Sequence, residues 1–137
     1  MNKSKQSGLS NRGFTLIELV MVIVILGVLA AVALPKFVNV DDDAKIAAVQ
    51  GVAGALSSAS AINYASRKAK GESGTAATNK TVQVTKCSDV VAALQGGALP
   101  TGYSVTTDST AGNDITVSTC VLTGNGKTAT FTVTGST

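Results

Sequence analysis

An α+β fold is predicted: one long N-terminal α-helix, its hydrophobic half protruding and its second half packed against a small antiparallel β-sheet. Three observations predict it. Residues 14–34 form an almost uninterrupted apolar run. Apolar residues then recur at three- and four-residue steps to about position 70. Beyond Gly74 the pattern changes to strand-like alternation, rich in Thr and Val and punctuated by Gly.

The run 14–34 corresponds to about 31 Å of helix, close to the ~30 Å hydrocarbon core of a bilayer. It holds one carboxylate, Glu18. A carboxylate in a membrane segment costs roughly 2.5–3.5 kcal/mol on insertion scales and usually serves a function. The leader before the run carries Lys3, Lys5 and Arg12 with no acid, and it ends in Gly13. That asymmetry holds the leader on the cytoplasmic side and sends the carboxyl end outward. A secretory signal places its small-residue cleavage site after the apolar core; here the glycine precedes it. A plain membrane anchor explains the apolar run but not Gly13-Phe14 or Glu18.

The stretch Gly13-Phe14-Thr15-Leu16-Ile17-Glu18-Leu19 resembles the processing motif of class III signal peptides, found in type IV pilins and pseudopilins. The likeness extends through Pro35-Lys36-Phe37, about the first quarter of the chain. The short leader and aromatic start look like the type IVa subclass. Pro35-Lys36-Phe37 and the later Cys-Ser-Asp-Val-Val segment look like mannose-sensitive haemagglutinin pilins. The resemblance implies the pilin fold, no enzymatic activity and no cofactor. It implies cleavage between Gly13 and Phe14 by a prepilin peptidase that also N-methylates Phe14. Both the cut amine and its methylated form carry a positive charge. An incoming subunit's Phe14 amine then neutralises Glu18 of a subunit already in a helical homopolymer. Gly27 and Pro35 bound a segment that related pilins unwind in the fibre. Pro35 lacks an N–H for the helix ladder, and Gly27 weakens it by roughly 1 kcal/mol. Partners implied are further copies of the chain, the peptidase, the assembly machinery of the inner membrane and the inner membrane itself. The implied path runs from bacterial inner membrane, leader cytoplasmic and carboxyl region periplasmic, to an extracellular pilus. The surface or host ligand is unknown from sequence.

Domain organisation follows: 1–13 leader, 14–35 membrane and filament-core helix, 36–70 amphipathic second half, 71–137 β-rich globular region. The chain has 11 basic and 8 acidic side chains. Without Lys3, Lys5 and Arg12 the remainder is balanced, so the basic excess belongs to the leader and is no nucleic-acid footprint. In the second half, Ile46, Val49, Val52 or Ala53, Leu56, Ala59 and Ile62 define one apolar stripe. One continuous helix from Phe14 to about Ala69 is expected; Asp41-Asp42-Asp43 could instead cap a fresh helix. Gly71-Glu72-Ser73-Gly74 supplies the stop. Strands are expected at 81–85, 103–106, 115–122 and 128–133, with a short capped helix at Ser88-Asp89 through Leu94. Gly124-Asn125-Gly126 reads as a hairpin turn.

Cys87 and Cys120 are the only cysteines, and the topology places both where disulfides persist. With no His in the chain, a metal site lacks ligands and a nucleophile lacks its base. A disulfide bounding 87–120 is expected, and by resemblance its segment forms the contact-making surface. Asp41-Asp42-Asp43 lacks the spacing of a calcium loop and reads as a solvated face. Gly51-x-x-Gly54 gives room for a neighbour. Asn79-Lys80-Thr81 is a short glycosylation match. Lys68, Lys70, Lys80 and Lys86 read as a solvated cationic surface, without the interleaved aromatics of a nucleic-acid site. The sparse aromatics Phe14, Phe37, Tyr64, Tyr103 and Phe131 do not favour electron transport. The function expected is a structural subunit of a type IV pilus, for adhesion and possible roles in motility, biofilm formation or DNA uptake. The alternatives are a type II secretion pseudopilin acting as a short periplasmic piston, and a membrane-anchored binding protein that does not polymerise.

Overall fold

The computed structural model describes residues 13–72 and 81–137. The chain divides into two compact units, Met1–Asn39 and Val40–Thr137. One helix, α1 (Leu16–Lys70), contains 55 residues and runs without a break through Pro35 and through Asp41-Asp42-Asp43. A fresh helix at the aspartates is therefore not formed. Instead Asp41 pairs with Lys45 one turn on at 2.5 Å, and Asp42 pairs with Lys127 at 3.1 Å.

Helix α1 starts two residues later than the apolar run because Thr15 stands at its N-cap. The Thr15 carbonyl accepts the Leu19 N–H at 3.2 Å, the first bond of the ladder. The helix ends as its sequence demands. Gly71 takes a φ of 64°, its N–H donates to the Lys68 carbonyl, and the Glu72 N–H donates to the Arg67 carbonyl. That crossed pair is a Schellman cap, which needs a residue tolerant of positive φ. Ser73 and Gly74 of the expected stop lie outside the described residues.

In the second unit the helix buries Val49, Ala53, Leu56, Ser60, Asn63 and Arg67. The apolar stripe is thus correct at Val49, Ala53 and Leu56, with Val52 and Ala59 partly buried against the core, but not at Ile46 or Ile62. Ile62 is 71% exposed and lines an open groove with Ala55, Leu94 and Pro100. The buried face continues in polar residues because the helix meets backbone there. Ser60 Oγ accepts the Thr134 N–H at 2.9 Å, and Ser57 Oγ accepts the Thr132 N–H at 3.1 Å. Asn63 Oδ1 accepts the Val82 N–H at 2.7 Å, while its Nδ2 donates to the Val82 carbonyl at 2.8 Å. A buried backbone group needs a partner, and here polar side chains of the helix supply it.

The sheet has three antiparallel strands in the order β1 (Tyr103–Thr107), β2 (Thr116–Gly124) and β3 (Lys127–Thr134). Asn125 and Gly126 have φ of 53° and 72° and join β2 to β3. Both values are positive, as a tight two-residue hairpin requires. Cys120, Leu122, Phe131 and Val133 point into the core with Val84 and Val90, while Thr128, Thr130 and Thr132 are exposed. Period-two alternation produces this division.

The segment 81–85 is not a strand. It contributes a single bridge, Val84 with Ser136, and Lys86 just beyond it bridges Thr110. The Asn63 amide occupies Val82, and Asp89 Oδ2 accepts from the Thr85 and Lys86 N–H groups at 2.8 and 3.1 Å. Side chains thereby take the donors a ladder would use. The expected capped helix is a 3₁₀ helix, Cys87–Ala93.

Candidate assembly site

The residues expected to direct processing and assembly lie at the start of α1. Gly13, Phe14 and Thr15 precede the helix, and Phe14 is 91% exposed. Thr15 and Glu18 then close a reciprocal pair. The Thr15 N–H donates to Glu18 Oε2 at 2.8 Å, and the Glu18 N–H donates to Thr15 Oγ1 at 3.3 Å. This is a capping box, in which two of the four unpartnered donors at a helix start are satisfied by side chains. The Thr-x-x-Glu spacing signals it in the sequence, where the reading above gives Thr15 no role.

From Leu16 to Val40 almost every large apolar side chain lies open, Val20 least at 41% and Leu16 most at 82%. The helix contains a stretch long and apolar enough to cross a membrane, none of it buried within the subunit. A soluble core helix would be covered. Gly27 has no neighbour within contact of a built Cβ, and Pro35 sits inside the helix. Lys3, Lys5 and Arg12 lie outside the described residues.

The second unit carries the disulfide. Cys87 and Cys120 are bonded, with Cα atoms 5.7 Å apart, and both are fully buried. The bond ties the 3₁₀ helix to β2. Within the segment it bounds, Val90 and Ala111 are buried while 95–98 and 101–102 are exposed. Asp108 closes the segment onto the helix start. Its Oδ1 accepts the Ser88 N–H at 2.7 Å, its Oδ2 accepts the Ser88 hydroxyl at 2.9 Å, and Lys86 lies 3.2 Å away. Partial burial pushes the Asp108 carboxyl up, but the Ser88 bonds and Lys86 outweigh it and leave it below the usual range.

Asp114 ties the loop before β2 to the end of α1. Lys68 approaches it to 2.5 Å and the Tyr64 hydroxyl donates to it at 3.0 Å. The bond from Lys68 lowers the Asp114 carboxyl most; desolvation opposes this, and the Tyr64 bond adds to the lowering. Lys68 and Lys86 are thus paired with carboxylates and do not form an open cationic patch. Lys80 and the Asn79-Lys80 part of the glycosylation match fall outside the described residues. Among the described residues no cluster of three His, Cys, Asp or Glu is placed to hold a metal.

A long helix with an uncovered apolar half, a small sheet and a disulfide-bounded carboxyl segment define a pilin-like subunit. Residues 4–34 match the prokaryotic N-terminal methylation motif. Over 125 residues, 90% of this chain and 96% of the relative, the sequence is 37% identical to the type IV narrow pilus major component PilA5 of Thermus thermophilus. Over 29 residues, 21% of this chain and 13% of the relative, it is 62% identical to the type IV major pilin protein PilA of Myxococcus xanthus. No solved structure matches. The chain belongs to the type IV pilin family.

Proposed function

We propose that this chain is the structural subunit of an extracellular type IV pilus, cut between Gly13 and Phe14, N-methylated at Phe14 and polymerised through α1. The observation that carries the reading is the uncovered apolar half of α1 headed by the methylation motif. Such a surface is stable only in lipid or against other apolar helices. The inner membrane supplies the first environment and further copies of the chain supply the second. Before assembly the leader is cytoplasmic and the second unit periplasmic, as the basic leader favours. A membrane peptidase makes the cut and assembly machinery in the inner membrane extracts the subunit. Adhesion is the role best suited to a fibre that exposes the disulfide-bounded segment 87–120.

Glu18 selects the register. Its carboxylate in the apolar bundle is stabilised when the Phe14 amine of an incoming subunit neutralises it, and a subunit docked out of register leaves it unpaired. Intact-mass analysis of purified fibres tests the cleavage. A mass beginning at N-methylated Phe14 is expected; a fibre subunit that retains Arg12 overturns it. The Glu18→Ala variant tests the pairing. It is expected to accumulate, processed, in the membrane with few fibres, and normal piliation would show the pairing to be dispensable.

A further inference from the structure

We propose that Ile115 is a contact residue between copies of the chain, seated in the uncharged groove on the far flank of a neighbour's α1. The inference rests on the polymer proposed above. Among the described residues of the second unit, the exposed large apolar side chains are Val40, Ile46 and Ile62 on α1 and Ile115 off it. A single exposed isoleucine is ordinary; this one is held in place. Asp114 before it adopts a φ of 61°, which a residue with a side chain takes at a cost, and Lys68 and Tyr64 grip that aspartate. The Ile115 N–H donates to the Gly112 carbonyl at 3.0 Å, and its own carbonyl accepts the Gly135 N–H at 2.9 Å. A Cβ at Gly112 would stand 3.0 Å from Ile115 Cδ1, so the side chain rests over a glycine. The knob is ordered in advance and loses little freedom on docking.

The groove has a volume of about 690 Å³, room for a side chain and the turn that carries it. Val52, Ala55, Ile62, Leu94 and Pro100 supply apolar walls, and none of its lining residues is charged. It therefore suits an uncharged apolar group and penalises a charge. Knob and groove lie on opposite flanks of α1. The groove uses Ala55, Ile62 and Ser66 of the helix, whereas Asp114 is held by Tyr64 and Lys68. Each residue turns a helix by about 100°, so Tyr64 and Lys68 point roughly away from Ile62 and Ser66. Different surfaces on opposite flanks make a head-to-tail contact, which repeats from copy to copy without closing. The area also selects the occupant. One isoleucine and its turn cover far less than the ~1,200 Å² of a specific pair, so free subunits stay apart. Copies held side by side by α1 meet at a high effective concentration, where so small a contact is made.

The test uses fibres sheared from piliating cells that carry the full chain. Ile62→Cys and Ile115→Cys are made singly and together, and the fibres are treated with a short bismaleimide. Cys87 and Cys120 are bonded and fully buried, so only the new thiols react. A ladder running beyond the dimer is expected from the double variant, and monomer from each single one. Ile115→Asn and Ile62→Asn are each expected to lower fibre yield, per processed subunit, by about tenfold, because an amide is left without a partner in an apolar contact. Denaturant unfolding of either purified subunit is expected to match wild type, since both side chains are exposed. Double-variant fibres that give no ladder, dimers from either single variant, or wild-type yield from both Asn variants would overturn the contact alone. Fibres whose mass analysis lacks the chain would overturn the polymer reading and the contact with it.

Discussion

Asn63 shows how a single buried amide sets the seam between α1 and the segment that follows. It is 6% exposed and makes two bonds to the backbone of Val82. Asn63→Ala removes both partners and leaves a backbone N–H and carbonyl unsatisfied. A loss of about 1–3 kcal/mol is expected, measurable by denaturant unfolding of the purified subunit. Asn63 is not legible in the sequence as a core residue. A helical stripe is read from apolar residues, and here Ser60 and Asn63 are buried and polar because they meet backbone, that of β3 at Thr134 and that of Val82. Asp114 makes the second prediction at this scale. Its carboxyl is lowered in the folded chain, first by Lys68. A lowered carboxyl contributes stability above its unfolded value, near 3.8, and that contribution is lost as pH falls through the folded value. Acidification through that folded value, which lies below 3.8, should therefore release the loop from α1 in the native chain. In Asp114→Asn this step should be absent from the pH dependence of amide exchange at Asp114 and Ile115.

At the scale of elements, α1 and the β2–β3 hairpin are legible because each rests on local chemistry: hydrophobic period for the helix, positive φ at Asn125 and Gly126 for the turn. The apolar head of α1 and its glutamate are legible too, since both are anomalies in an ordinary helix. The segment 81–85 alternates like a strand yet forms only an isolated bridge, because Asn63 and Asp89 occupy its donors. Distant side chains decide that outcome, and no local pattern contains them. The disulfide supplies a third prediction. It closes a loop with a sequence separation of 33, for which the chain-entropy model gives about 3–4 kcal/mol. Replacing both Cys87 and Cys120 by Ser should lower unfolding stability by about that much. The 3₁₀ helix should lose exchange protection before β2 and β3 do, because only β2 and β3 retain their mutual ladder.

At the scale of the whole molecule, the segment between Gly27 and Pro35 is helical in the isolated subunit. Packing among neighbours in the fibre changes the surroundings of a stretch that lacks the Pro35 donor. There it is expected to extend. Its rise then grows from about 1.5 Å towards about 3.3 Å per residue, lengthening the subunit by up to roughly 14 Å. A fibre map that resolves backbone decides this, and unbroken helix through 27–35 would count against it. Gly27→Ala should shift the balance towards helix by about 1 kcal/mol, seen as a stiffer fibre in single-filament stretching.

The serines at the edge of β3 have a consequence for crowding. A fibre brings many identical sheets side by side, the condition under which exposed strands zip together into continuous cross-β. Ser57 and Ser60 accept the outward N–H groups of Thr132 and Thr134, so on that stretch the margin of the sheet is already spoken for. In the proposed fibre, cohesion between copies would then be left to helices, whose contacts can be undone one subunit at a time, and kept away from strands, whose joining would be hard to reverse.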